Sequence, residues 1–283
     1  MLLQLQASIN FKNLEKMARQ KGVIKYVGTL GDIRHFKIKG QEGYFAGMVG
    51  GPSGEQVLSA PEFERTRENM NEFGACAKAG KSVRTGLSQI VKQMSDTQVA
   101  GRLTAIMKKI NLEDQTEARG YRKIEITTQR NYLVGFEFDK NTSLNGIFNA
   151  PYSVTHDPAR NTADFVIPAF NPANLINAPA GATHFRLIHT LSVVSDFAYN
   201  AVTNSYDPID TAQNEVSDVQ FSGFLDLYAP ATATTITATL PNGITPSTDV
   251  TVLQGIGIEF YQKVGSNYYL FATGNCLKIE DAF

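Results

Sequence analysis

The chain contains no tryptophan, only two cysteines and only four histidines in 283 residues. Two thiols, Cys76 and Cys276, are too few for a disulfide framework or a cysteine ligand cluster, and their scarcity fits a reducing compartment. His35, His156, His184 and His189 show none of the i, i+2 or i, i+4 spacings that place two imidazoles on one metal. His184 and His189 are separated by an odd number of residues in an expected strand, so they face opposite sides of it. Without Trp the favoured stacking platform for sugars is missing, which leaves carbohydrate binding to Tyr-rich positions such as Tyr268 and Tyr269. Apolar runs are short as well. None approaches the roughly 18 residues of a membrane span, and the uncharged stretch 227–248 is Thr, Ala and Pro rather than aliphatic. The start, 1–6, is too brief for a secretory h-region, and charged residues follow it. These absences point to a cytoplasmic protein without a cofactor.

What is present is unevenly distributed. The formal charge of −1 hides 21 Lys and Arg against 13 Asp and Glu in residues 1–130, and 5 against 14 in residues 131–283. A basic half joined to an acidic half suggests polyanion binding, or attraction between copies or between halves. Between Val23 and Phe45 short apolar–polar alternations are split by Gly28, Gly31, Gly40 and Gly43, which predicts a glycine-punctuated β arm over 17–54. The run 47–54 holds four Gly and a Pro and reads as a hinge at Gly50 and Gly51. From Pro61 to Met94 the positions Phe63, Thr66, Met70, Phe73, Ala77, Gly80, Arg84, Leu87, Val91 and Met94 recur at threes and fours, and Val99, Leu103, Ile106 and Ile110 follow. This predicts a basic αα-hairpin over 61–115, capped at Ser95 or Asp96, with close packing the preferred reason for Gly74, Gly80 and Gly86. Beyond Gly120 candidate strands are 123–128, 132–138, 163–167, 183–194, 221–228, 235–240, 250–263 and 268–272, without helices between them. The expected fold class is α+β: a glycine-rich N-terminal β arm and αα-hairpin, then an acidic antiparallel β-sandwich over 121–283.

Motifs with catalytic overtones fail on spacing. The run from Gly74 to Ser82 has five residues between its glycines where a phosphate loop needs four, and it lies within a helical pattern. Gly51-Pro52-Ser53-Gly54-Glu55 has Glu55 where a nucleophile elbow needs glycine. Asp207, Asp210, Glu215 and Asp218 lack the order of a calcium loop. Glu137 and Asp139 share a face of an expected strand and form a possible carboxylate pair. Lys25, Tyr26, Arg34, His35, Phe36, Lys37, Lys39, Tyr44 and Phe45 interleave cations and aromatics, a pattern shared by single-strand nucleic-acid binders and ordinary amphipathic strands.

The stretches beginning at Met17 (MARQKGVIK) and Gly28 (GTLGDI), the run 64–74 (ERTRENMNEFG), the AGK ending at Lys81, and GRLT, GFEF and THFRL further on resemble a family of uncharacterised Bacteroidota proteins. That resemblance covers nearly the whole chain from Met17, and it implies architecture but no chemistry and no catalytic residue. Residues 1–16 fall outside it. They are expected to be a leader translated upstream of a native start at Met17.

The leading expectation is a non-catalytic structural protein that assembles with itself as a homo-oligomer or filament. Its basic contact surface would comprise Lys25, Arg34, Lys37, Lys39, Arg65, Arg67, Lys78, Lys81 and Arg84, meeting the acidic half of another copy. The alternative is nucleic-acid binding by the same basic half. A third reading, an enzyme with dispersed site residues, requires a pocket joining Glu137 or Asp139 to a histidine.

Overall fold

The computed structural model describes residues 17–283 and divides at Phe63 into two compact units. The expected leader, 1–16, lies outside the described residues. The first unit is an antiparallel four-stranded sheet of order β1-β4-β3-β2, with β1 Met17–Arg19, β2 Gly28–Leu30, β3 Ile33–Phe36 and β4 Phe45–Met48. Glycines at positive φ turn its corners, Gly31 (57°) among them, where L side chains are strained. Among the side chains of this sheet whose burial is described, His35 and Phe45 are the buried ones. A helix α1, Gly54–Ser59, follows, with Ser53 and Gln56 closing a reciprocal capping box. The hinge is therefore shorter than expected: Gly47 and Met48 end β4, Gly54 opens α1, and of the two named glycines only Gly51 holds a positive φ (116°).

Residues 64–283 form the second unit, an α+β arrangement in three layers. Helix α2 (Glu64–Gly86), the short α3 (Ser88–Met94) and α4 (Val99–Glu113) make the antiparallel helical hairpin. The middle layer is a six-stranded sheet built on two long strands, β7 (His184–Ser195) and β13 (Val250–Val264), paired antiparallel from Ser195↔Val250 to His184↔Tyr261. β10 (Ser217–Phe221) and β11 (Leu225–Asp226) flank β7, while β14 (Asn267–Leu270) and β15 (Cys276–Ala282) flank β13. The third layer is a sheet of order β12-β6-β5, with β5 Ser153–His156, β6 Thr162–Ile167 and β12 Thr234–Thr239. β8 (Phe197–Asn200) and β9 (Ser205–Pro208) form a separate ribbon.

The middle sheet is apolar on both faces, which is why β7 and β13 read as near-continuous hydrophobic runs. On one face Ile188, Val194, Leu253, Leu277 and Ile279 pack against Ala79, Val83, Leu103 and Met107 of the hairpin. On the other, Phe185, Leu187, Ile256, Ile258 and Phe260 meet Phe165, Ile167 and Ile236 of the small sheet. A Cβ at Gly80 would lie 3.3 Å from Leu103 Cβ and Thr104 N, and one at Gly86 would lie 2.1 Å from Ser192 Oγ. These glycines let α2 approach α4 and the sheet. Gly74 faces open space and has no such role.

Several expectations need correction. The buried stripe of α2 passes through Glu72, Ala75, Cys76, Ala79, Gly80 and Val83, so Met70 and Phe73, expected inside, are exposed. α4 is preceded by Gln98 rather than capped by Ser95, and Asp96 accepts from the Gln98 amide. Segment 123–128 contributes one bridge, Ile124↔Phe197, and then turns helical at Ile126–Gln129 because Asp196 accepts from the Thr127 amide and hydroxyl. Segment 132–138 starts at the end of a 3₁₀ turn, Arg130–Tyr132, and makes a single bridge, Glu137↔Lys278. Segment 221–228 is broken between β10 and β11.

Candidate interaction surfaces

In the arm, Ile33 is opposite both Leu30 and Met48. Directly opposed residues point to the same face of a sheet, so the three make one cross-strand stripe. They are 66% (Leu30), 45% (Ile33) and 75% (Met48) exposed. β1 and β2 each have one strand partner, which leaves two open edges among the described residues. The arm's aromatic rings are held by its own side chains: Tyr26 lies 4.3 Å from the His35 ring, Phe36 stacks on Phe45, and Lys25 and Lys37 sit over Tyr44. His35 Nδ1 lies 3.0 Å from Gln20 Nε2. The expected interleaving of cations and aromatics is real, but it forms internal stacks.

The second unit takes the remaining basic residues to different fates. Arg65 pairs with Glu68 at 2.9 Å, and Lys78 donates to the Tyr206 carbonyl. Arg67 has an interaction of its own. Lys108, Arg102, Arg119 and Lys123, outside the expected surface, are paired with Glu72, Asp96, Glu68 and Glu117. Lys81 and Arg84 instead line an open groove of about 400 Å³ with Thr85, Ser88, Val91, Lys92, Ser95 and Val99. The sequence placed Ser95 only as a helix cap and gave Ser88 and Lys92 no role, although 81, 85, 88, 92 and 95 advance by fours and threes as one polar stripe. Lys25, Arg34, Lys37 and Lys39 belong to the arm, so the expected basic surface is divided between two units.

The candidate catalytic groups are dispersed. Glu137 Oε1 accepts from the Ser143 hydroxyl and the Leu144 amide, and burial raises its carboxyl above the ordinary range. Asp139 accepts from the Asn141 amide and the Thr142 hydroxyl, so the two carboxylates serve separate turns. His189, on the small-sheet side of β7, lies 2.7 Å from the Ile236 carbonyl through Nδ1 and 2.8 Å from Gln254 Nε2 through Nε2. That pattern fixes Nδ1 as the donor and Nε2 as the acceptor, and burial pushes the imidazole down to about 4. Asp207 is held by Thr203, Ser205 and Asn200, Asp210 by Ser247 and Gln213, and Glu215 by Ser82. Among the described residues no group of His, Cys, Asp and Glu is arranged to hold a metal ion. Ser53 caps α1, and the Gly74–Ser82 run lies within α2. Among the described residues no helix is long and apolar enough to cross a membrane.

Comparison with protein-family models, with curated proteins and with solved structures found no match to this chain.

Proposed function

We propose that the chain is a non-catalytic, self-assembling structural protein in which the arm of one copy lies on the acidic half of a second copy. The observation that carries the reading is the exposed stripe Leu30–Ile33–Met48 on a sheet with two open edges. A sheet with few buried side chains among its described residues gains little from its own packing, and a covering partner would remove this apolar surface from water. Charge selects the partner: residues 17–54 hold six Lys and Arg against two Asp and Glu, whereas residues 131–283 hold 5 against 14. A second copy supplies the complementary surface at equal concentration. Two unpaired buried thiols, Cys76 and Cys276, are in keeping with the cytoplasm as the site of assembly.

The test is the double substitution Ile33→Asp and Met48→Asp. Assembly should be lost on a sizing column with light scattering, while the circular dichroism of residues 64–283 stays native. Oligomers that survive the two charges sink the arm-exchange reading.

A further inference from the structure

We infer that the groove between α2, α3 and the start of α4 is a binding site for a compact oligophosphate group, the chemistry of pyrophosphate or a nucleoside polyphosphate tail. Its wall is one polar stripe that continues across the kink at Leu87: Lys81, Arg84 and Thr85 from the last turns of α2, then Ser88 and Lys92 from α3, then Ser95. The opposite side of the same helices, with Val83, Leu87, Ile90 and Met94, is sunk in the core and holds the stripe in place.

Two features separate this groove from a solvated helix face. Arg65, Arg102 and Lys108 of the hairpin are paired with carboxylates and Lys78 donates to a carbonyl, which leaves Lys109 as a further cation of the hairpin without a carboxylate partner among the described residues. Among the described residues no carboxylate or carbonyl pairs with Lys81, Arg84 or Lys92, and none of the groove's lining residues is acidic. Second, among the described residues the Ser88 and Ser95 hydroxyls are unengaged, whereas Thr85 already donates to the Lys81 carbonyl. Three positive charges beside two hydroxyl donors complement the negative charge of two linked phosphates, and about 400 Å³ accommodates them. A planar guanidinium between two flexible ammonium groups suits bidentate capture of one phosphate. Every residue lining the groove belongs to the second unit.

Calorimetric titration of the full chain with inorganic pyrophosphate tests the proposal. One site per chain is expected, with an affinity that falls as salt rises and drops at least about tenfold in Arg84→Gln. Lys81→Gln with Lys92→Gln, both at exposed positions, gives a second readout should Arg84→Gln perturb folding, and should weaken binding by a similar factor. Lys37→Gln with Lys39→Gln in the arm should leave it unchanged. No heat of binding, equal losses from the arm variants, or tighter binding of a single-stranded oligonucleotide that the groove substitutions do not affect would each overturn the assignment.

Discussion

Protonation of His189 should destabilise the second unit as the solution is acidified. The imidazole is fully buried between β7, β12 and β13, donates through Nδ1 to the Ile236 carbonyl and accepts from Gln254. Its pKa drops from an ordinary 6.5 to about 4 because burial disfavours the cation. The unfolded chain therefore takes up its proton first. Stability is whole above about pH 6.5 and is lost as pH falls from there through about 4. Linkage gives a loss of about 2 kcal/mol by about pH 5 and roughly 3 kcal/mol at full protonation. Glu137 and Asp196, whose pKa values burial raises, act in the opposite sense: they bind protons more tightly when folded and add stability on acidification. The wild-type curve alone mixes these contributions, so the informative quantity is the difference from His189→Gln, which keeps an acceptor for Gln254 without titrating. Urea unfolding near pH 7.5 and near pH 5 should show the wild-type advantage shrinking by about 2 kcal/mol. An advantage that is the same at both pH values refutes the placement of this imidazole as a buried neutral acceptor.

Burial pushes the Cys76 and Cys276 thiols up to about 12, so both should resist a thiol-exchange reagent in the native protein and react once it is unfolded in urea. Rapid native labelling of either would contradict their burial. Gly257→Ala would put a Cβ 2.6 Å from the Cys276 carbonyl oxygen, across the β13–β15 pair, and should cost about 1–3 kcal/mol of urea stability. Gly74→Ala, in open space within α2, should instead gain up to about 1 kcal/mol. Gly51→Val forces a β-branched residue to φ 116°, and it should impair assembly while leaving the hydrogen-exchange protection of residues 64–283 unchanged.

The strands that were legible in the sequence are those buried on both faces or regularly alternating. β7 and β13 carry long apolar runs, and the β13–β14 hairpin announces itself through Gly265-Ser266, with Val264 paired to Asn267. β15 was missed because Lys278, Glu280 and Asp281 mask Leu277 and Ile279, which face the core. Ile124 and Ile126 are both buried at a spacing of two, yet tertiary hydrogen bonds to Asp196 bend that backbone into a helix. The αα-hairpin was legible, but its phase was not. Met70 and Phe73 suggested the wrong stripe, since small residues, Ala75, Cys76, Ala79 and Gly80, occupy the close helix contact. The same phase error placed Arg84 in an apolar row and hid its company with Lys81 and Lys92. The exposed arm stripe depends on a register in which Ile33 opposes residues 3 and 15 positions away, which local periodicity does not fix.

Self-assembly is tested most directly by the molar mass of the full chain, measured by light scattering on a sizing column at low and at high salt. The account predicts a mass above that of the 31.0 kDa chain at low salt. It also predicts a shift toward the single chain as salt screens the attraction between the basic arm and the acidic half. A strict monomer at both salt concentrations contradicts it.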